Sequence, residues 1–390
     1  MRANRSVLIA NPSPDVYGSD LQMLESLVAL HEAGYRVVVT MPEDGALVPR
    51  IRERGGEVAF IDFPVLRRAN QSIPSFVHLL WTILACLPRL VRFIRRMRPG
   101  AVYVNTVTIP WWLLAARLCG VPTAGHLHEA ETTDSRLVRW ALVSPLRLAH
   151  AVIVISRSTL DAMLAADARL KPKANLIYNG VPQPPEPPRP ARRMTPLRLV
   201  VVGRLSPRKA PHLALEATAL LRGRGYELEV ELAGSAFPGY EWYTEQLEQR
   251  AAQEDLAGAV VFAGYCSPIW DNLNRADIMV APSLREPFGN AVVEAQYSLR
   301  PVVATAALGH TESIVDGVTG LLVPAEDVPA MADAIARLID DPALAEKLSR
   351  KARSEAIRQF SVDRYRAEIV ELFDRLTGAS SVTTPAGRKA

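Results

Sequence analysis

Short apolar runs bounded by glycine, proline and polar residues recur along the chain, alternating with longer stretches in which apolar residues return every three or four positions. The short runs fit buried strands and the longer ones amphipathic helices. In the first half the predicted strands are Val7 to Ala10, Arg36 to Thr40, Glu57 to Ile61, Ala101 to Val104, Pro122 to His126 and Val152 to Ile155. The loop Asn11 to Ser19 leads into a helix from Asp20 to Glu32 that closes at Gly34. In the second half the predicted strands are Leu197 to Val202, Glu229 to Ala233, Val260 to Phe262, Ile278 to Ala281, Pro301 to Thr305 and Leu321 to Pro324. Helices are predicted at Pro211 to Leu221, Val328 to Asp340 and Ser361 to Leu376. Strands separated by helices form parallel sheets covered on both faces, which is an α/β protein.

The two halves meet at Asn179-Gly180-Val181 and a run dense in proline, Pro182 to Pro196. Proline at that density is incompatible with helix or sheet interior, so the run reads as an extended, semi-rigid linker. The expected division is an N-terminal domain over 1–182, a linker over 183–196, a C-terminal domain over 197–360, a last helix over 361–377 and a polar, disordered tail over 378–390. With 390 residues, 49% of them hydrophobic, the chain has enough apolar material for two cores.

Charge changes this picture little. The 45 Lys and Arg against 41 Asp and Glu leave +4, which suits anionic ligands without arguing for nucleic acid. Cys86, Cys119 and Cys266 are scattered, without disulfide or metal-ligand spacing, and the first apolar run is too short for a signal peptide. Together these point to the cytoplasm. One segment stands apart. Phe76 to Met97 pairs an apolar half, too short to span a bilayer, with Arg89, Arg92, Arg95, Arg96 and Arg98. It reads either as a helix packed on the sheet or as peripheral contact with an anionic membrane, to which Trp111-Trp112 would add amphipathic aromatics.

The candidate chemistry centres on Ala276 to Ala295, a strand, a tight loop and a helix with Asn290 as N-cap and Gly289 before it. Unpaired N–H groups at such a helix start, with the positive end of the dipole, suit a phosphate. Glu286 and Glu294 flank that start, and carboxylates beside an anion site find their partners among hydroxyl groups, so the pattern suggests a nucleotide-sugar. Arg204 and Lys209, after the turn at Gly203, bring two cations to another helix mouth. Gly264 and Tyr265 end a strand where small residues let a nucleobase lie against backbone. Alternation puts His126 and His128 on one face, His128 nearer the carboxyl end where ligands meet such sheets. Gly18 permits close backbone approach of a ligand. The absence of G-x-G-x-x-G counts against a dinucleotide, and so against a dehydrogenase.

Glu286, Pro287, Phe288, Gly289, Asn290 and Glu294 match the E-x7-E motif, and Gly203-Arg204-Leu205 with Lys209 matches the G-R-L-x(3)-K signature, of glycosyltransferase family 4 (group 1), which the chain resembles over nearly its whole length. Gly18-Ser19, Asn179-Gly180-Val181 and Gly309 to Glu312 match further elements, with Ala210 and His310 standing where the family often has glycine. The resemblance implies a GT-B fold, two Rossmann-like domains facing each other across a cleft, and a retaining hexosyltransferase. The donor it implies is a nucleotide-sugar, UDP- more than GDP-linked, and the acceptor a hydroxyl on a carbohydrate, lipid-linked, cell-envelope or small molecule. It assigns Arg204 and Lys209 to the diphosphate, Gly18, Phe288, Gly289 and Asn290 to the donor site, which Gly264 and Tyr265 join from their place at a strand end, Glu286 to the sugar and Glu294 to the ribose. His128 takes the place beside the donor sugar, with His126 as the alternative. No cofactor is implied, and the lack of an Asp-x-Asp element, with two cations already at hand, implies independence of metal. A nucleotide-sugar 2-epimerase and a non-catalytic nucleotide-sugar sensor remain competing readings. An epimer formed without acceptor, or binding without turnover, separates them from a transferase.

Overall fold

The computed structural model describes residues 4–66, 73–129, 135–191, 193, 195–237 and 239–379. The chain divides into two compact units, one of Met1–Gly180 with Val362–Ala390 and one of Val181–Ser361.

The first unit runs β1 (Ser6–Ala10), α1 (Gly18–Glu32), β2 (Arg36–Met41), α2 (Leu47–Glu53), β3 (Glu57–Phe60), α3 (Ile73–Met97) and β4 (Ala101–Val104). It continues with α4 (Trp111–Leu118), β5 (Thr123–Leu127), α5 (Arg136–Val143), β6 (Ala151–Val154), α6 (Arg157–Ala166) and β7 (Ala174–Leu176). The seven strands form one sheet in the order β3-β2-β1-β4-β5-β6-β7, and all pairings are parallel. β1 and β4 are apolar on both faces because helices cover both: one core joins α1 and α2 to the sheet, the other joins α3, α4 and α6. Trp111 and Trp112 belong to that second core, with Trp112 edge-on to Phe63 and Phe93 at 5.5 and 6.4 Å. The expectation that they reach a membrane is therefore wrong: the ring area is used in packing against α3.

The second unit runs β8 (Leu197–Val202), α7 (Pro211–Gly223), β9 (Leu228–Ala233), α8 (Glu241–Ala251), β10 (Val260–Gly264), α9 (Trp270–Arg275) and β11 (Ile278–Ala281). Then follow α10 (Asn290–Tyr297), β12 (Val302–Thr305), α11 (His310–Ser313), β13 (Leu321–Val323), α12 (Val328–Asp340) and α13 (Pro342–Phe360). Its sheet is also parallel, in the order β10-β9-β8-β11-β12-β13. The proline-rich run before β8 is not a free spacer. The Arg193 amide donates to Asp277 at 2.9 Å and its guanidinium to the Ile339 carbonyl at 3.1 Å, so this part of the run is fastened to the second unit.

The last helix, α14 (Val362–Thr377), returns to the first unit. Its apolar stripe, Tyr365, Ile369, Leu372 and Phe373, is buried in the core of α1, β1 and β4. The Tyr365 hydroxyl meets Ser26 at 2.5 Å, and Arg366 holds Glu25 at 2.6 Å. Gly180, before the chain crosses to the second unit, lies so close to α14 that a Cβ there would stand 2.7 Å from Tyr365. Of the expected tail, residues 380–390 lie outside the described residues.

Candidate functional site

In the second unit, the chain after β11 turns through Ser283 and Glu286 into α10. The N-cap of α10 is Gly289, with φ 99°, and not Asn290, which is the first residue of the helix. A left-handed φ of that size suits only glycine, and a Cβ would also stand 3.0 Å from the His310 ring. The neighbouring loop is clamped by Gly309, whose amide donates to the Glu286 carbonyl at 2.8 Å. A Cβ on Gly309 would stand 2.5 Å from Phe288 Cα, so only glycine fits that crossing. Beside β8, Gly203 (φ 143°) opens the turn that carries Arg204 and Lys209 to the start of α7.

These turns surround a pocket lined by Gly203, Arg204, Lys209, Ser283, Glu286, Gly289 and His310 among others. Lys209 Nζ and Glu286 Oε2 form an ion pair there, and Ser283 Oγ donates to the same oxygen at 3.4 Å. The Glu286 side chain is buried. Burial alone would raise its pKa, but Lys209, His310 and Arg208 hold it below the usual carboxylate range, so it is ionised at neutral pH. The two residues assigned from sequence to phosphate and to sugar thus hold each other. His310 Nδ1 donates to the Thr305 carbonyl at 3.0 Å, which leaves Nε2 as the acceptor of the neutral ring. Burial lowers the His310 pKa, with Glu286 opposing it.

Glu294 lies one turn into α10. Burial pushes its carboxyl up to about 7, only partly offset by Lys209, so near neutrality it is divided between its two forms. Arg204 is exposed and its guanidinium lies 4.4 Å from the Phe237 ring centroid. Six expected donor residues are not part of the pocket wall: Gly18, which belongs to the first unit, and Gly264, Tyr265, Phe288, Asn290 and Glu294. Phe288 is buried with its ring against Phe360 at 5.3 Å, so its side chain is a core element and only its backbone borders the loop. Gly264 ends the edge strand β10 and Tyr265 follows it, with its side chain exposed. Sequence reasoning missed Ser283 as a lining residue, and treated His310 as a departure from a pattern when it is part of the wall.

In the first unit, the carboxyl ends of β1, β4 and β5 carry a chain of buried polar side chains. His126 is fully buried and meets the Tyr103 hydroxyl at 2.5 Å, and that hydroxyl donates to Asn105 Oδ1 at 3.1 Å. His128 Nε2 reaches the same oxygen at 3.0 Å, so it is the protonated nitrogen of its ring. Asn105 Nδ2 donates to Asn11 Oδ1 and Asn11 Nδ2 to Asp20, both at 2.9 Å. Asp20 in turn accepts from the Tyr17 amide at the start of α1, where Gly18 is the first helical residue. His126 therefore points into the interior, while half-buried His128 lies just past the strand end, anchored through Asn105 to the Gly18 loop. Burial holds the His128 imidazole down to about 4, so it is neutral under physiological conditions and serves as a hydrogen-bonding group. Among the described residues no group of three or more His, Cys, Asp or Glu is arranged to hold a metal ion.

Two family models match this chain, one described as glycosyltransferase family 4 over residues 18–183 and one as glycosyl transferases group 1 over residues 183–355. Among curated relatives, a D-inositol 3-phosphate glycosyltransferase of Streptomyces avermitilis is 32% identical over 297 residues, 66% of this chain and 62% of its own length. An alpha-D-kanosaminyltransferase of Streptomyces kanamyceticus is 28% identical over 273 residues, 64% of this chain and 69% of its own. In structure, Anabaena HepE solved with UDP superposes with a TM-score of 0.79 at 22% identity, covering 95% of this chain and all of that one. A glycosyltransferase of Rickettsia africae superposes with a TM-score of 0.80 at 18% identity, covering 97% and 100%.

Proposed function

Because the chain belongs to the group 1, family 4 glycosyltransferases and has their GT-B fold, we propose that it is a retaining glycosyltransferase that moves a sugar from a nucleotide-sugar, UDP- before GDP-linked, to an acceptor hydroxyl. The observation that carries this reading is the pocket lined by Arg204, Lys209 and the first turn of α10 beside the buried carboxylate of Glu286. In the transfer, the bond from the anomeric carbon to the diphosphate breaks, the bond to the acceptor oxygen forms on the same face, and the departing diphosphate takes the acceptor proton. Negative charge grows on the leaving oxygens. Preorganised cations and N–H groups that meet it lower the barrier without reorganising.

On binding, the diphosphate would draw Lys209 away from Glu286, freeing that carboxylate to accept hydrogen bonds from sugar hydroxyls. Glu294, whose burial disfavours its charge, would gain the ribose hydroxyls as donors. His128, neutral and fixed by Asn105, would offer its remaining nitrogen to the sugar or acceptor. None of these steps calls on a metal ion, and we expect transfer to persist in EDTA. The acceptor class that fits the mildly basic chain is a lipid-linked or envelope glycan.

A thermal-shift panel of nucleotide-sugars tests the donor half. A ligand at 100 times its dissociation constant stabilises by about 2.7 kcal/mol, a shift of several degrees. UDP-sugars should raise the melting temperature more than GDP-sugars, and transfer to an acceptor should consume the stabilising donor. No stabilisation by any nucleotide-sugar would refute the reading, and an epimerised donor formed without acceptor would replace transfer by epimerisation.

A further inference from the structure

α3 exposes an unusual face. From residue 81 onward, Cys86, Leu90 and Ile94 are buried against the sheet, with Leu87, Val91 and Phe93 packed beside them. The opposite face carries Trp81, Leu84 and Pro88 in its first half and Arg89, Arg92, Arg95 and Arg96 in its second, all exposed, with no acidic residue between 81 and 97. At 100° per residue these positions fall within one stripe of the helix. Trp81 is 70% exposed and Leu84 63%, large apolar side chains left in water on a helix whose inner face is already satisfied.

A second such surface lies on the same side of the sheet. α5 contributes Val143 to the core that holds α3, yet leaves Leu137 73% and Trp140 43% exposed, with Arg136 beside them. α3 and α5 each begin after the carboxyl end of a strand, β3 and β5, so the exposed apolar residues of both sit toward the edge that carries Asn105 and His128. Among the described residues no helix is long and apolar enough to cross a membrane.

We infer that this face docks the protein on an anionic lipid surface, Trp81 and Leu84 entering the interface and the arginines of the second half of α3 binding lipid headgroup phosphates. The choice of occupant follows from charge complementarity: an apolar patch continued by four arginines, on a helical stretch with no carboxylate of its own, fits a surface that is apolar beneath and negative above. Arginine also pairs with phosphate bidentately, and its stem covers apolar area. Docking would turn the carboxyl edge of the first sheet toward the membrane, which gives the proposed transfer reaction an acceptor presented at a lipid surface.

The test is co-sedimentation with vesicles of phosphatidylcholine, with and without phosphatidylglycerol, in the absence of donor and acceptor. Its outcome is thus independent of whether the chain transfers sugar. The intact protein should pellet with the anionic vesicles, stay in the supernatant with phosphatidylcholine alone, and be released by salt. Each arginine changed to serine at Arg92, Arg95 or Arg96 should lower the partition coefficient about fivefold, the change equivalent to about 1 kcal/mol. Trp81→Ser with Leu84→Ser should abolish pelleting while leaving the melting temperature and nucleotide binding unchanged, because both residues lie outside the core and the pocket. Equal pelleting of the arginine variants, absence from both pellets, or a concentration-dependent dimer broken by the same substitutions would overturn the proposal.

Discussion

Glu286 and Lys209 are paired across 77 positions of sequence in a buried pocket, and that pairing sets what each substitution does. Removing one partner of a buried pair leaves the other charge uncompensated, which costs about 3–5 kcal/mol when burial is complete and less here, where Lys209 keeps some contact with water. Glu286→Gln should therefore lower the melting temperature of the free protein, lower turnover by orders of magnitude, and leave the affinity for nucleoside diphosphate nearly unchanged, as isothermal titration would read it. Glu294 behaves differently. Its folded pKa of about 7 lies above the ordinary 4.5, so between those values the folded protein holds a proton that the unfolded chain releases. Stability contributed through this group falls as pH rises from about 4.5 to about 7, in all by about 3–4 kcal/mol at roughly 1.4 kcal/mol per unit. Glu294→Gln removes that slope, and denaturant midpoints should show the variant more stable than its parent above pH 7. In the proposed ribose-binding role of Glu294 the ionised form is the better acceptor of hydroxyl donors, so donor affinity of the parent should rise through pH 7 while that of the variant stays flat. Ala210 gives a third case. It stands in the left-handed region, φ 48°, at the N-cap of α7, where a side chain costs roughly 1–2 kcal/mol. Ala210→Gly should leave the melting temperature nearly unchanged, because relief of that strain is offset by the lost contacts of a fully buried methyl and by the added freedom of the unfolded chain.

At the scale of elements, the strands were legible because a parallel sheet covered on both faces leaves continuous apolar runs, as in Val302–Thr305 and Ile278–Ala281. β7, three half-buried residues at the sheet edge, lacks such a run and was not predicted. The start of α10 was displaced by one residue because glycine and asparagine are both acceptable caps, and only the backbone angle at Gly289 tells them apart. Trp111 and Trp112, read as interfacial, both lie in the core, where Phe63 and Phe93 close over Trp112, and nothing local in the sequence announces that contact. The site was legible where a short segment carries it, as at Gly203 to Lys209. It was not where the partner lies far away: no spacing rule joins Lys209 to Glu286, or His128 through Asn105 to Asn11. The helix at Phe76 to Met97 was anticipated, but which of its side chains are left uncovered depends on how it lies on the sheet.

For the whole molecule, the two units differ in how they are closed. The second is continuous in sequence, from Val181 to Ser361, and contains the pocket with Lys209 and Glu286 entire. The first depends on α14, whose four buried residues complete the core against α1 and β1. A fragment of residues 181–361 should therefore fold alone and bind nucleoside diphosphate, whereas residues 1–180 should remain expanded or aggregate until a peptide of 362–379 is supplied. Circular dichroism and calorimetry on the two fragments decide this, and a 1–180 fragment with a cooperative melt of its own would show α14 to be dispensable. The same dependence acts while the protein is being made. As the chain leaves the ribosome residues 1–180 emerge before residues 181–361 but lack their closing helix, so the unit translated second reaches its native form first, and the unit begun before it waits, with apolar surface uncovered, for a segment that emerges only after Ser361.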